Sequence, residues 1–134
     1  MALSFGDLEL LYRDSLLNDV VPFWENRSIE EVATPQGFAR NPGLVQRFYD
    51  ERRRGLRTVE PNAAHRALAL LEDKLGDRFA LITQNVDDLH ERAGARRVIH
   101  MHGELRKARC IECAAVVPWD ADIAPESRCA ACGF

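Results

Sequence analysis

Four cysteines do most to limit what this chain can become. They fall as Cys110-x2-Cys113-x15-Cys129-x2-Cys132, two knuckles separated by a loop of the length that paired thiolate hooks of a tetrahedral zinc site use. A single C-x-x-C would serve thiol redox chemistry, whereas two at this spacing serve a structural metal. With four thiolates the coordination shell is closed, so a Zn2+ ion there organises the polypeptide and is not the catalyst. The spacing predicts a zinc ribbon over residues 104–134, made of short strands too small to bury a core. Metal is preferred over disulfides because the chain reads as cytoplasmic, where thiols stay reduced. Asp7, Glu9, Arg13 and Asp14 interrupt the leucine-rich N-terminal stretch, unlike the apolar core of a secretory signal. No apolar run approaches the ~18 residues of a membrane span.

Ahead of the cysteines the pattern is α/β. Phe79-Ala80-Leu81-Ile82 is a continuous apolar run, expected as a strand buried on both faces of a parallel sheet. A short helix over Leu89 to Ala93, closed by Gly94, precedes a second strand at Val98 to Met101. Strand, helix and strand make a compact βαβ unit, right-handed by the usual rule. A longer helix leads into it, with Asn62 as cap, Ala64, Ala67, Leu68, Leu71 and Leu75 as its apolar stripe, and Gly76 as its stop. Residues 59–103 therefore read as a partial Rossmann-like sheet.

Residues 23–58 read as a helical module. Ser28-Ile29-Glu30-Glu31 forms a capping box, and Thr34-Pro35 and Asn41-Pro42 each place a cap before a proline at the first helical position. The helix opened by Asn41 carries Leu44, Val45 and Phe48 as its stripe and is expected to end with Gly55 at C′. Residues 1–22 stay unassigned; their leucines and valines suit a short helix without fixing one.

Several polar residues stand where chemistry could occur. Thr83-Gln84-Asn85-Val86-Asp87 leaves the end of the first strand and His102-Gly103 follows the second, which is where an open α/β sheet places its ligands. Read alone, the first is either a turn or a ligand loop. His102 is either a solvated turn residue or a proton acceptor, with His100, two residues earlier, expected on the same face. Tyr49 and Arg52 share a helix face, as a half-buried phenol and a solvated guanidinium or as a carboxylate-binding pair. His65, in the first turn of its helix, reads as structural. The basic clusters Arg52-Arg53-Arg54 with Arg57, and Arg96-Arg97 through Arg106-Lys107-Arg109, read as solvated faces and rims. With a net charge of −3, no global field favours nucleic acid or an anionic membrane as partner.

The joint order of strand, TQNVD, helix, strand, HG and zinc knuckle resembles the sirtuin family of NAD-dependent protein deacylases, most closely its bacterial class III type, from about Phe23 onward. That resemblance implies a loop of Gln84, Asn85, Val86 and Asp87 that binds the nicotinamide riboside end of NAD, and His102 as general base. It implies that Tyr49 and Arg52, standing as Tyr49-Asp50-Glu51-Arg52, recognise acidic acyl groups such as succinyl and malonyl beside acetyl. The implied reaction is attack of an acyl-lysine carbonyl on the nicotinamide ribose, giving nicotinamide, deacylated lysine and O-acyl-ADP-ribose. Acyl-lysine proteins or peptides are the implied partners; oligomeric state is not indicated.

The sequence also departs from the family. Its glycines, at 6, 37, 43, 55, 76, 94, 103 and 133, supply no G-x-G turn for a pyrophosphate. The strands expected after the second cysteine pair are absent as well. Zinc binding with little NAD turnover by these 134 residues is the expectation that follows. A catalytically dead zinc-ribbon interaction module derived from a sirtuin is the competing reading. A zinc protein that recruits nucleic acid through its arginine rim is a third, which salt-dependent DNA affinity would mark.

Overall fold

The structure, a computed structural model, describes residues 28–134; the expected N-terminal helix and the start of the module at Phe23 lie outside them. Two compact units divide the chain, the first ending at Val45 and the second running from Gln46 to Phe134.

The first unit holds α1 (Ile29–Val32) and α2 (Pro35–Arg40), and α3 (Pro42–Gly55) begins in it. Glu31 reaches back to the Ser28 amide at 3.1 Å, the return half of the expected capping box, while its own amide bonds the Ser28 backbone carbonyl at 3.1 Å. Thr34 Oγ1 accepts the Gly37 amide at 2.9 Å, and Asn41 Oδ1 accepts that of Leu44 at 3.0 Å. Each cap supplies a partner for an amide that the first helical turn leaves unpaired. Gly37 is buried, and a Cβ there would collide with the carbonyl oxygen of Glu31, so the close packing of α1 on α2 requires glycine.

Gly55 does not end α3 in a left-handed cap. Its φ is −59°, and the chain tightens through it into a 3-10 turn at Leu56–Thr58. On α3, Val45 and Phe48 are buried and Leu44 is partly so.

The second unit continues with α4 (Ala63–Leu75), a 3-10 turn (Gly76–Arg78), β1 (Leu81–Thr83), α5 (Leu89–Arg92) and β2 (Val98–His100). Asn62 caps α4 and closes a capping box with His65, so His65 is structural as expected. β1 and β2 run parallel with Leu81, Ile82 and Thr83 opposite Val98, Ile99 and His100. A small cluster of Ala69, Leu81 and Ala95, flanked by Leu68, Phe79 and Val98, seals them to α4.

Three expectations fail here. The strand is shorter than the apolar run and buried on one face only, since Ala80 and Ile82 are exposed. The buried face of α4 is centred on Ala69 and Glu72, whereas Ala64, Ala67 and Leu71 are exposed. The sheet contact selected a neighbouring face because Glu72 finds partners there: its carboxylate accepts the Arg96 amide at 2.9 Å and Arg97 Nε at 3.2 Å. Finally, β2 stops at His100, and Met101–His102 form a turn, so His100 and His102 do not share a strand face.

The last region is a β-hairpin of β3 (Lys107–Arg109) and β4 (Val116–Pro118), antiparallel, followed by an irregular loop. Both cysteine knuckles turn in the same way. The residue after each second cysteine has positive φ, 59° at Ala114 and 78° at Gly133. Each donates its amide to the carbonyl of the first cysteine, at 3.0 Å to Cys110 and 2.8 Å to Cys129. Glycine meets that conformation without strain at the second knuckle, while alanine is strained at the first.

The basic clusters are not merely solvated. Arg53 is buried, and Arg54, Arg96, Arg97 and Arg106 are all ion-paired.

Candidate functional site

The loop that leaves β1 is pinned at successive points. Thr83 Oγ1 accepts the Asn85 amide at 3.0 Å, the Val86 carbonyl accepts the Leu105 amide at 2.7 Å, and Asp87 Oδ1 accepts the Leu89 amide at 3.1 Å. The Asn85 carbonyl faces His100 Nδ1 at 3.1 Å. Within this frame the side chain of Gln84 is exposed and Asn85, Val86 and Asp87 are half-buried. The backbone is thus held while a carboxamide remains available, an arrangement suited to gripping an amide-bearing ligand in one pose.

His102 stands exposed in the turn after β2. Its ring makes no hydrogen bond to any described residue, so a proton-transfer partner would meet an open imidazole. Gly103 follows with φ 80° and turns the chain back toward Leu105.

Tyr49 and Arg52 are half-buried on α3. The Tyr49 ring meets Phe48 edge-on at 5.2 Å, and the Arg52 guanidinium lies 4.7 Å from the centroid of the same Phe48 ring. Burial draws the Arg52 pKa below its ordinary value, with the Tyr49 phenol acting against that shift. The phenyl ring orients the cation as expected for a stacked guanidinium.

The four cysteine sulfurs all lie within 4.8 Å of one another, with Cys110–Cys132 and Cys113–Cys129 each at 3.7 Å. A tetrahedral ion with Zn–S bonds of ~2.3 Å spaces its sulfurs by about 3.8 Å. The cluster therefore fits zinc, and all four thiols are free. The amides of Ala131 and Cys132 draw the Cys129 thiol down to about 7, while the neighbouring cysteines push Cys132 up to about 12.

A group not foreseen from sequence fastens this cysteine region. Arg53 Nε donates to the Leu105 carbonyl at 2.6 Å, and its Nη1 donates to Asp50 at 2.6 Å and to the Ala121 carbonyl at 3.1 Å. Asp50 also accepts the Ile123 amide at 3.1 Å. The opposite charges of Asp50 and Arg53, three residues apart on one face of α3, were the available signal. Beside them a cavity of about 330 Å3 is lined in part by Arg57, Arg92, Arg106, Asp88 and Asp120. Arg106 spans it, bonded to Asp120 and Asp88, while Arg92 pairs with Glu60 and Arg57 donates to the Asp120 carbonyl.

The Sir2 family model matches residues 18–134. An NAD-dependent protein deacylase of Salmonella typhimurium is 58% identical over 113 residues, covering 83% of this chain and 41% of the relative. A crystal structure of a Sir2 homologue–NAD complex superposes with a TM-score of 0.71 at 43% identity, covering 83% of this chain and 44% of that one. A Sir2 protein bound to acetylated peptide gives 0.62 at 32% identity, covering 77% and 45%. The chain thus spans less than half the length of these relatives. From the β1 loop to the second cysteine knuckle, sequence and fold lead to one conclusion: this chain belongs to the Sir2 family, the sirtuins.

Proposed function

We propose that this chain carries the nicotinamide side and the structural zinc of an NAD-dependent protein-lysine deacylase. The observation that carries this reading is the pinned loop at the end of β1, in a chain 58% identical to a named deacylase. Gln84, Asn85, Val86 and Asp87 would hold the nicotinamide riboside end of NAD, whose bound form supplies an electrophilic ribose carbon. His102 would accept a proton from a ribose hydroxyl, a task suited to a neutral imidazole near physiological pH. Tyr49 and Arg52 would receive the distal carboxylate of a succinyl or malonyl group. Acyl-lysine proteins are the substrate class, and a cytoplasmic setting goes with this reading. Among the described residues no helix is long and apolar enough to cross a membrane.

The test is nicotinamide release from NAD with an acylated peptide. It compares this chain with a version extended at both ends to the length of its relatives, each with and without His102→Ala. Turnover is expected from the extended version, its loss in extended His102→Ala, and little turnover from this chain, which has no G-x-G turn for the pyrophosphate. Turnover that survives His102→Ala removes the base assignment. Arg52→Met in the extended version should raise KM for succinyl-lysine by about tenfold or more, through loss of an ionic hydrogen bond. Acetyl-lysine should be nearly unaffected; equal effects on both substrates would refute the acyl-recognition role.

A further inference from the structure

We propose that His100, held by Glu91, is a positioning residue that clamps the Gln84–Asp87 loop in its nicotinamide-receiving shape, a role that rests on the reading of that loop given above. His100 is opposite Thr83 in the β1–β2 register, so its side chain arrives where the loop departs. Nδ1 lies 3.1 Å from the Asn85 carbonyl oxygen, and Nε2 lies 2.8 Å from Glu91 Oε1. A carbonyl oxygen and a carboxylate can only accept, so both ring nitrogens must donate. The geometry therefore requires the imidazolium.

The surroundings agree with that requirement. Burial works against a charged ring, but the Glu91 carboxylate and the Asn85 carbonyl outweigh it and hold the His100 pKa above the ordinary imidazole value. Glu104, from the turn after β2, brings a third group whose carboxylate lies within 4.8 Å of the other two. From β1 the residue opposite is the neutral Thr83, so the charges facing the ring come from Glu91 on α5 and Glu104.

Asn85 is consequently held through both backbone groups, its N–H by Thr83 and its C=O by His100. Loss of one proton leaves a single N–H on the ring. One of the two acceptors then faces a lone pair, and one bond of the clamp is lost. Both bonds of the clamp are present while His100 is protonated, and one of the two is lost as pH rises through its folded pKa.

The experiment is NMR on the zinc-loaded chain, following the His100 ring and the exchange protection of the Asn85 and Leu89 amides against pH. His100 should titrate above ~6.5. Protection of both amides should fall by about tenfold through that transition, the scale of one lost hydrogen bond. Glu91→Gln should move both midpoints down together, and His100→Asn should remove the pH step while α4 amides keep their protection. Free nicotinamide should bind about tenfold more weakly to His100→Asn. An ordinary His100 titration, or identical protection profiles in all three proteins, overturns the clamp. Uptake of a second zinc that abolishes the His100 titration also overturns it, in favour of a metal on Glu91, His100 and Glu104. If the wild-type chain binds no nicotinamide while the coupled pH step persists, the ligand reading of the loop fails and the clamp on its backbone stands.

Discussion

The β1–β2 pair and the cysteine hairpin are both two-stranded, and they are stabilised by different means. The parallel pair leans on α4 through a small apolar cluster and leaves its other face open, with Ile82 and Ile99 more than half exposed side by side. Among the described residues 104–134, Leu105 alone is a buried apolar side chain. The hairpin's order comes from four sulfurs at one end and from the Asp50–Arg53 group of α3 at the other. The contrast shows what a short sheet needs. A segment that cannot bury ordinary amounts of apolar surface depends on a few strong, specific links, and losing one of them is a cooperative loss for that segment.

The largest expected effect separates the two regions outright. Cys129→Ser, or chelation of zinc, should abolish amide protection over residues 104–134 while α4 and the β1–β2 pair keep theirs. A structural zinc site contributes on the order of 10–16 kcal/mol, more than the segment can replace. Hydrogen exchange with elemental analysis reads the result; desalted wild-type protein without zinc would end the structural-metal account.

Next comes Arg53→Met, which leaves the buried Asp50 carboxylate without its guanidinium. A cost of about 3 kcal/mol or more is expected in chemical denaturation, because an unpaired buried charge remains. Arg54→Met is the control, since the Arg54–Asp122 pair is about half exposed on both sides and such pairs contribute ~0–1 kcal/mol. Equal losses in the two variants would mean that the Asp50–Arg53 group is not the fastening that the geometry indicates.

The smallest effect falls on the parallel pair. The Arg96 amide, followed by Arg97, holds the Glu72 carboxyl below its ordinary value. A depressed carboxylate contributes stability above its unfolded pKa of ~4.3 and loses it as pH falls through the folded value. Glu72→Gln should therefore flatten the acid limb of the stability curve for the α4–β1–β2 region and leave the cysteine hairpin's response unchanged. A parallel shift of both regions would show that they do not respond separately.

Much of the site was legible because its signals are local. Cysteine spacing, the caps at Thr34, Asn41 and Asn62, and the order of TQNVD and HG are short-range patterns that survive without tertiary information. His100 and Glu91 were not legible as a pair, since nine residues separate them and a turn of α5 must first bring the carboxylate under the ring. The fate of the arginines was hidden for the same reason: a run of Arg52, Arg53 and Arg54 has one composition, and only the helix phase decides which member turns inward.

By itself, then, the sequence determined the α/β class, the two strands and their order, the helix starts and the four-thiolate cluster, because each rests on the chemistry of residues close together in the chain. Tertiary structure decided which face of α4 is buried, where β1 begins, and which charges are internal. Those outcomes depend on distant partners competing for the same surface. Glu72 turned inward because Arg96 and Arg97 from the far side of the βαβ unit satisfy it, and Arg53 did so because the carbonyls of Leu105 and Ala121 come to meet it.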